Sequence, residues 1–194
     1  MRKLSLLIFM MLLPLLASAD DVEIDGIYYN LNQEEKSAEV VGGGSEYSGI
    51  YSGDIVIPSS INYEGVSYSV TSIGVSAFQY CSVKSVTIPN SVTKICDQAF
   101  YNSGSIEMIN MSDNIQSIGY SAFCGLEKLK ELKIPASVKT IGEAAFCRCK
   151  SITSFAIPEG VTTIGTNTFY RCEQLESVVI PTTIKTIDEN FSSQ

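Results

Sequence analysis

The chain has 194 residues, 45% of them hydrophobic, with 21 acidic against 13 basic side chains and no histidine, a formal charge of −8. An acidic chain without a basic run repels phosphate backbones, which argues against nucleic acid as a ligand, and its apolar content is too high for a disordered chain. The missing histidine removes Ser-His-Asp and Cys-His catalysis together, and Cys147-x-Cys149 has no second metal-binding pair at a normal spacing, which argues against zinc.

The amino terminus reads Met1-Arg2-Lys3, an apolar run from Leu4 to Leu16, then Ala17-Ser18-Ala19. A run of 13 residues is too short to cross a bilayer core of about 30 Å as a helix. The small-x-small triplet suits a signal peptidase, so residues 1–19 are expected to be a secretory signal peptide cut after Ala19. The mature chain then carries a charge of −10 and no transmembrane span, and its place is outside the cytoplasm: secreted, at the cell surface or in the periplasm.

Residues 20–69 read as a β-rich cap holding a partial first repeat. Asp25-Gly26, between Val22-Glu23-Ile24 and Ile27-Tyr28-Tyr29, supplies the positive φ angles of a type I′ hairpin turn. Glu64-Gly65, between Ile61-Asn62-Tyr63 and Val66-Ser67-Tyr68, reads as a second hairpin. Gly42-Gly43-Gly44-Ser45 lacks the Gly-Lys-Ser/Thr ending of a phosphate loop and reads as a connector. Between them, Ile55-Val56-Ile57-Pro58 has the form of a strand and its terminator, so the first partial coil starts near Asp54.

From residue 70 the chain repeats. Phe78, Phe100, Phe123, Phe146 and Phe169 are spaced 22, 23, 23 and 23 residues apart, each preceded by Ala or Thr. Eight residues before them stand Val70, Val92, Ile115, Val138 and Val161, and five before stand Ile73, Ile95, Ile118, Ile141 and Ile164. Gly74, Gly119, Gly142 and Gly165 follow those isoleucines, with Cys96 the exception, and are expected to take positive φ. Downstream comes an apolar trio, clearest in Leu129/Leu132/Ile134, closed by Pro at Pro89, Pro135, Pro158 and Pro181.

The last two residues of each trio alternate onto one face of a short strand, and proline stops it for want of an N–H. A unit this short cannot bury its apolar face alone, so it must stack on copies of itself. The expected fold is an α/β-type repeat solenoid dominated by short β-strands. It has an N-terminal β-hairpin cap at 20–69 and, over 70–194, five full repeats and one partial. The last unit carries Ile184 and Ile187 but has Phe191 one position early among Asp188, Glu189, Asn190, Ser192 and Ser193. It reads as a polar carboxy-terminal cap or as an open end that docks a partner or a second copy.

The unit Val-x-x-Ile-Gly-x-x-Ala-Phe-x-x-Cys-x-x-Leu-x-x-Ile-x-Ile-Pro, clearest from Val138 to Pro158, resembles the BspA-type leucine-rich repeat of secreted and surface bacterial proteins. The resemblance covers residues 54–194. It implies a leucine-rich-repeat right-handed solenoid at the cell surface or outside the cell, and some such proteins bind host matrix proteins or other bacteria.

Repeat stacks usually serve recognition. The outward positions of the strand ladder are Ser85 and Thr87, Met108 and Asn110, Glu131 and Lys133, Ser154 and Ala156, then Ser177 and Val179. These ten residues are the candidate binding face, for an extracellular or surface protein or glycoprotein, with no enzymatic activity and no cofactor expected. The alternatives are an envelope structural protein that self-associates through its solenoid end, and a carbohydrate-binding module built on the cap tyrosines Tyr28, Tyr29, Tyr47, Tyr51, Tyr63 and Tyr68. The cysteines also fall into columns. Cys124–Cys147 and Cys149–Cys172 are each in register on adjacent units, close enough for disulfides in an oxidising compartment, but the column belongs to the repeat pattern itself and reads first as a ladder of buried thiols.

Overall fold

The computed structural model describes residues 21–43, 49–188 and 190–192. The signal segment and its cleavage point lie outside the described residues, as do Gly44, Ser45, Tyr47, Glu189 and Ser193. The chain opens with β1 (Val22–Ile24) and β2 (Ile27–Asn32), antiparallel across Asp25 and Gly26, whose φ angles are 51° and 78°. β3 (Ser37–Val41) returns antiparallel to β2, then β4 (Ser52–Val56) begins the first coil. β5 (Ser60–Tyr63) and β6 (Val66–Ile73) form the second hairpin, with Glu64 and Gly65 at φ 49° and 79°.

Thereafter the strands recur with the repeat. They are β7 (Ser82–Thr87) and β8 (Lys94–Ile95), β9 (Met108–Asn110) and β10 (Ser117–Ile118), β11 (Thr140–Ile141), β12 (Ser154–Ala156) and β13 (Thr163–Ile164), and finally β14 (Ser177–Val179) and β15 (Thr186–Ile187). Two parallel ladders result. Trio strands pair as β4-β7-β9 and β12-β14, while the Val-x-x-Ile strands extend the amino-terminal sheet as β3-β6-β8-β10-β11 and resume as β13-β15. Ser85 pairs Met108 and Ser117 pairs Thr140, so register equals the repeat length. β3 places Ala38 and Val40 beside Val70 and Ile73, joining the hairpins to the repeat core.

No helix occurs among the described residues, so none is long and apolar enough to cross a membrane. The expected α/β character is therefore corrected to all-strand-and-turn, and the reason lies around each phenylalanine. The residues two before it (Ser76, Gln98, Ser121, Ala144, Asn167) and two after it (Tyr80, Asn102, Gly125, Arg148, Arg171) all have positive φ, which no helix tolerates in series. This conformation turns alternate N–H groups toward the next coil. Gln98, Phe100 and Asn102 donate to the carbonyls of Tyr120, Ala122 and Cys124, each at 2.8 Å. The turn is thus a third set of inter-coil hydrogen bonds beside the two ladders.

The column glycines Gly74, Gly119, Gly142 and Gly165 do not take positive φ, contrary to expectation. Close approach requires them instead: a Cβ at Gly142 would sit 2.5 Å from the Tyr120 nitrogen, and one at Gly119 2.6 Å from the Asp97 nitrogen. At the core, Phe78, Phe100, Phe123 and Phe146 are fully buried and Phe169 nearly so. Successive rings stack with centroids 5.0, 5.4, 5.8 and 5.8 Å apart, and each buried ring contributes roughly 1.5–3 kcal/mol. Tyr51 heads this column, its ring 4.8 Å from Phe78. Its hydroxyl donates to the Val41 carbonyl and accepts the Tyr28 N–H, which binds the hairpins to the first coil.

Candidate functional site

The outward residues of the trio ladder form two rows. One runs Asp54, Ser85, Met108, then Glu131, Ser154 and Ser177; the other runs Val56, Thr87, Asn110, then Lys133, Ala156 and Val179. Ser85 and Thr87 are half-buried and the other eight predicted residues are exposed. Polar neighbours are partly satisfied within the rows: Ser85 donates to Asp54 Oδ1 at 2.7 Å and Asn110 Nδ2 to Thr87 Oγ1 at 3.3 Å. Three apolar side chains also stand out from this face, Val56, Met108 and Val179, with 70%, 50% and 64% of their surface exposed.

The ladder is interrupted at one coil. Lys130–Ile134 forms no strand, and none of its backbone groups bonds to the coils on either side, whereas equivalent bonds join Ile88 to Asn110 and Ile157 to Val179. The inward residues Leu129, Leu132 and Ile134 remain buried, so the apolar register persists while the hydrogen-bond ladder does not. Strand propensity alone does not account for this, because Asp54, Asn110 and Ala156 stand in paired strands at the positions equivalent to Glu131 and Lys133.

Two depressions open beside the interruption. One, of 220 Å³, lies between Asn110, Met111, Asp113, Lys133 and Pro135; the other, of 330 Å³, is lined by Glu107, Lys128, Lys130 and Ser151. Lys133, of the predicted face's Glu131 and Lys133, lines the first depression, and Lys130 the second. Nearby, Lys150 Nζ meets Glu127 Oε1 at 2.8 Å and holds that carboxyl below its usual range; being exposed, the pair adds little stability. Ser151 donates to the Glu127 carbonyl at 2.6 Å, a side-chain bond from the next coil to this one.

All six cysteines are free and buried. Cys149 and Cys172 donate their thiols to the carbonyls of Phe123 and Phe146, one coil back, at 3.2 and 3.1 Å. Burial pushes both thiols up. Cys124 and Cys147 influence each other: the neighbouring Cys147 and burial raise Cys124, while Cys124, aided by Arg148 and Arg171, lowers Cys147. Among the described residues no cluster of Cys, Asp or Glu is placed to hold a metal.

Of the cap tyrosines, Tyr29, Tyr51 and Tyr68 belong to the core and Tyr28 and Tyr63 are half-buried. Sequence reasoning passed over the exposed side chains Val75, Tyr80 and Tyr120. Val75 and Tyr120 rim a groove of 370 Å³ floored by Gly119 and Gly142.

Parallel strands in 23-residue register, an inward trio and a phenylalanine column define a leucine-rich repeat protein. Residues 71–194 match the model of the BspA type leucine rich repeat region in six copies, and the chain belongs to that family. It is similar to the crystal structure of a leucine-rich repeat protein from Bacteroides ovatus, with 36% identity and a TM-score of 0.75 over 84% of this chain and 42% of that one. It is also similar to a leucine rich cell surface protein from Faecalibacterium prausnitzii, with 29% identity and a TM-score of 0.76 over 88% and 45%. A leucine rich repeat protein of T. pallidum shares the fold at 20% identity and a TM-score of 0.69, with 86% of each chain covered. The chain thus spans less than half the length of the first two. No curated protein sequence matches it significantly.

Proposed function

We propose that this is a secreted, non-enzymatic binding or adhesion protein of the bacterial surface. In this reading its repeats form a right-handed solenoid capped by residues 20–69, and its concave ladder face binds an extracellular protein or glycoprotein. The observation that carries the reading is the interruption at Lys130–Ile134. There backbone groups are left unpaired by the stack, the charges of Glu131 and Lys133 stand together, and two depressions open on either side. Backbone groups not committed to a ladder are free to bond a partner. The apolar side chain of Met108 beside them supplies desolvated contact, so the patch combines an apolar anchor with polar surroundings. The family membership and the surface description of the Faecalibacterium relative favour an extracellular place.

The test is capture by the immobilised protein from extracellular-matrix and cell-surface extracts, compared with a variant changed at Met108, Asn110, Glu131 and Lys133 together to Ala. Loss of capture supports the assignment. Undiminished capture by a variant of unchanged circular dichroism removes it.

A second reading, self-association, draws on the last coil. Leu175 and Val178 are only half-buried and Val179, Ile180 and Ile187 are exposed, beside a depression of 290 Å³ between Phe169 and Phe191. A second copy stacking there would raise the sedimentation mass with concentration; a constant monomer mass excludes it. The burial of Tyr29, Tyr51 and Tyr68 gives the cap tyrosines no comparable standing as a sugar platform.

A further inference from the structure

Cys124 and Cys147 stand one residue after Phe123 and Phe146, at the same position of neighbouring coils. Gly125 N–H donates to the Cys147 carbonyl at 2.7 Å, and Asn102 N–H to the Cys124 carbonyl at 2.8 Å, so this column is in register. In-register neighbours lie about 4.8 Å apart, inside the roughly 4.4–6.8 Å Cα separation that a disulfide spans without backbone movement.

The other in-register pair is committed differently, since the Cys149 and Cys172 thiols each point to a phenylalanine carbonyl of the preceding coil. Cys149 is fully enclosed, while Cys147 keeps 8% of its surface exposed beside Arg148 and Arg171, whose charges favour its thiolate. The segment between Cys124 and Cys147 contains the whole ladder interruption at Lys130–Ile134. A covalent link at this column would therefore close a loop around the one coil whose trio segment lacks backbone bonds to its neighbours.

We propose that Cys124 and Cys147 are a site of covalent cross-linking between coils, oxidised by thiol–disulfide exchange with a small disulfide, while Cys149 and Cys172 stay thiols. The Cys147 thiolate attacks one sulfur of the small disulfide, forming a mixed disulfide and releasing one thiolate, which takes a proton from solvent. Cys124 gives its proton to solvent and attacks the Cys147 sulfur, expelling the second thiolate. Two protein thiols and one small disulfide become one protein disulfide and two small thiols.

The folded protein is incubated with glutathione disulfide at mildly alkaline pH, then denatured, alkylated and digested with trypsin, which cuts after Arg148 and so separates Cys147 from Cys149. The expected result is a fall from six alkylatable thiols to four, with the Cys147 peptide linked to the one holding Cys124. Because Cys96 shares that peptide, the Cys124→Ser variant is run beside it and should stop at a glutathione adduct on Cys147. Six thiols remaining, a link through Cys149 or Cys172, or a cross-link persisting in Cys124→Ser overturns the proposal. Should Cys124→Ser fail to fold, Cys96→Ser takes its place, and it must retain the cross-link.

Discussion

The Ser103 hydroxyl, fully buried, donates to the Phe78 carbonyl of the preceding coil and accepts the Cys81 N–H at 2.9 Å. Cys149 and Cys172, at the same column, make the equivalent bond to Phe123 and Phe146. Three of the five positions in this column thus cap a phenylalanine carbonyl of the preceding coil, whereas Leu126 has no donor and the Cys81 thiol donates to the Gln79 carbonyl. Replacing Ser103 by Ala leaves a buried carbonyl short of a donor and should cost about 1–3 kcal/mol. Ser103→Cys, which restores a thiol donor of the kind the other coils use, should recover part of that loss in urea denaturation.

Phe123 is the middle of the ring column, stacked between Phe100 and Phe146. Phe123→Ala should destabilise the protein by about 3–5 kcal/mol, because rigid coils on both sides cannot collapse into the cavity. Phe123→Leu should cost clearly less, and thermal melting ranks the two.

Two neighbouring substitutions should act in opposite directions. Gly142→Ala forces a Cβ to 2.5 Å from the Tyr120 nitrogen and should destabilise by about 1–3 kcal/mol. Ala144 sits at φ 54°, a conformation costing about 1–2 kcal/mol for a residue with a Cβ, so Ala144→Gly should stabilise by a few tenths to about 1 kcal/mol. Chemical denaturation midpoints check both signs.

Cys147 alone among the six thiols is shifted down, whereas Cys81, Cys96, Cys124, Cys149 and Cys172 are all shifted up. A lowered pKa leaves more thiolate at a given pH, so alkylation of the native protein should begin at Cys147 and at a lower pH than at any other cysteine. Peptide mapping after brief iodoacetamide treatment across a pH series reads this directly. In Cys124→Ser the hydroxyl is a different donor and the Cys147 profile should move.

Cross-linking Cys124 to Cys147 closes a loop of about 24 residues, which in the chain-entropy account stabilises by roughly 3 kcal/mol. The oxidised protein should therefore melt higher than the reduced one, and amide exchange over residues 130–134 should slow. Equal melting of the two forms would show that the link adds strain equal to its entropic gain.

The repeat was legible because each of its columns answers to one local constraint. Alternation sets the trio, proline ends it, and a large ring must sit beside a small residue at Ala99-Phe100 and its equivalents. The positive-φ positions were not legible. Ser, Gln, Ala, Tyr and Arg fill seven of the ten, and only Asn102, Asn167 and Gly125 are of types that favour a left-handed residue. Apart from Gly125, glycine, the usual signal, stood in another column for a steric reason that only the distance to the next coil reveals. Phe191 shows the same limit: its N–H and carbonyl place it in the small-residue column, its carbonyl accepting from Phe169 at 2.7 Å. Tyr51 has no repeat motif around it, yet it completes the ring column from the cap side.

The candidate site divides likewise. Its ten residues follow from alternation about the trio, and eight of them are exposed, Ser85 and Thr87 being half-buried. The interruption does not follow, because Leu129, Leu132 and Ile134 keep the apolar pattern intact. A ladder bond depends on two coils at once, and the residues of one segment say nothing of whether its neighbours are close enough to pair.

By itself the sequence determined the period, the inward columns, the two hairpin turns and the membership of a stacked repeat class, since all rest on spacing and on the conformational limits of Gly, Pro and β-branched residues. Tertiary structure alone decided how the coils are bonded to one another. The third hydrogen-bonded set around each phenylalanine, the gap at Lys130–Ile134 and the commitment of the Cys149 and Cys172 thiols to phenylalanine carbonyls all depend on distances between coils about 23 residues apart in the chain. Repetition specifies which residues share a column, and packing decides which of them touch.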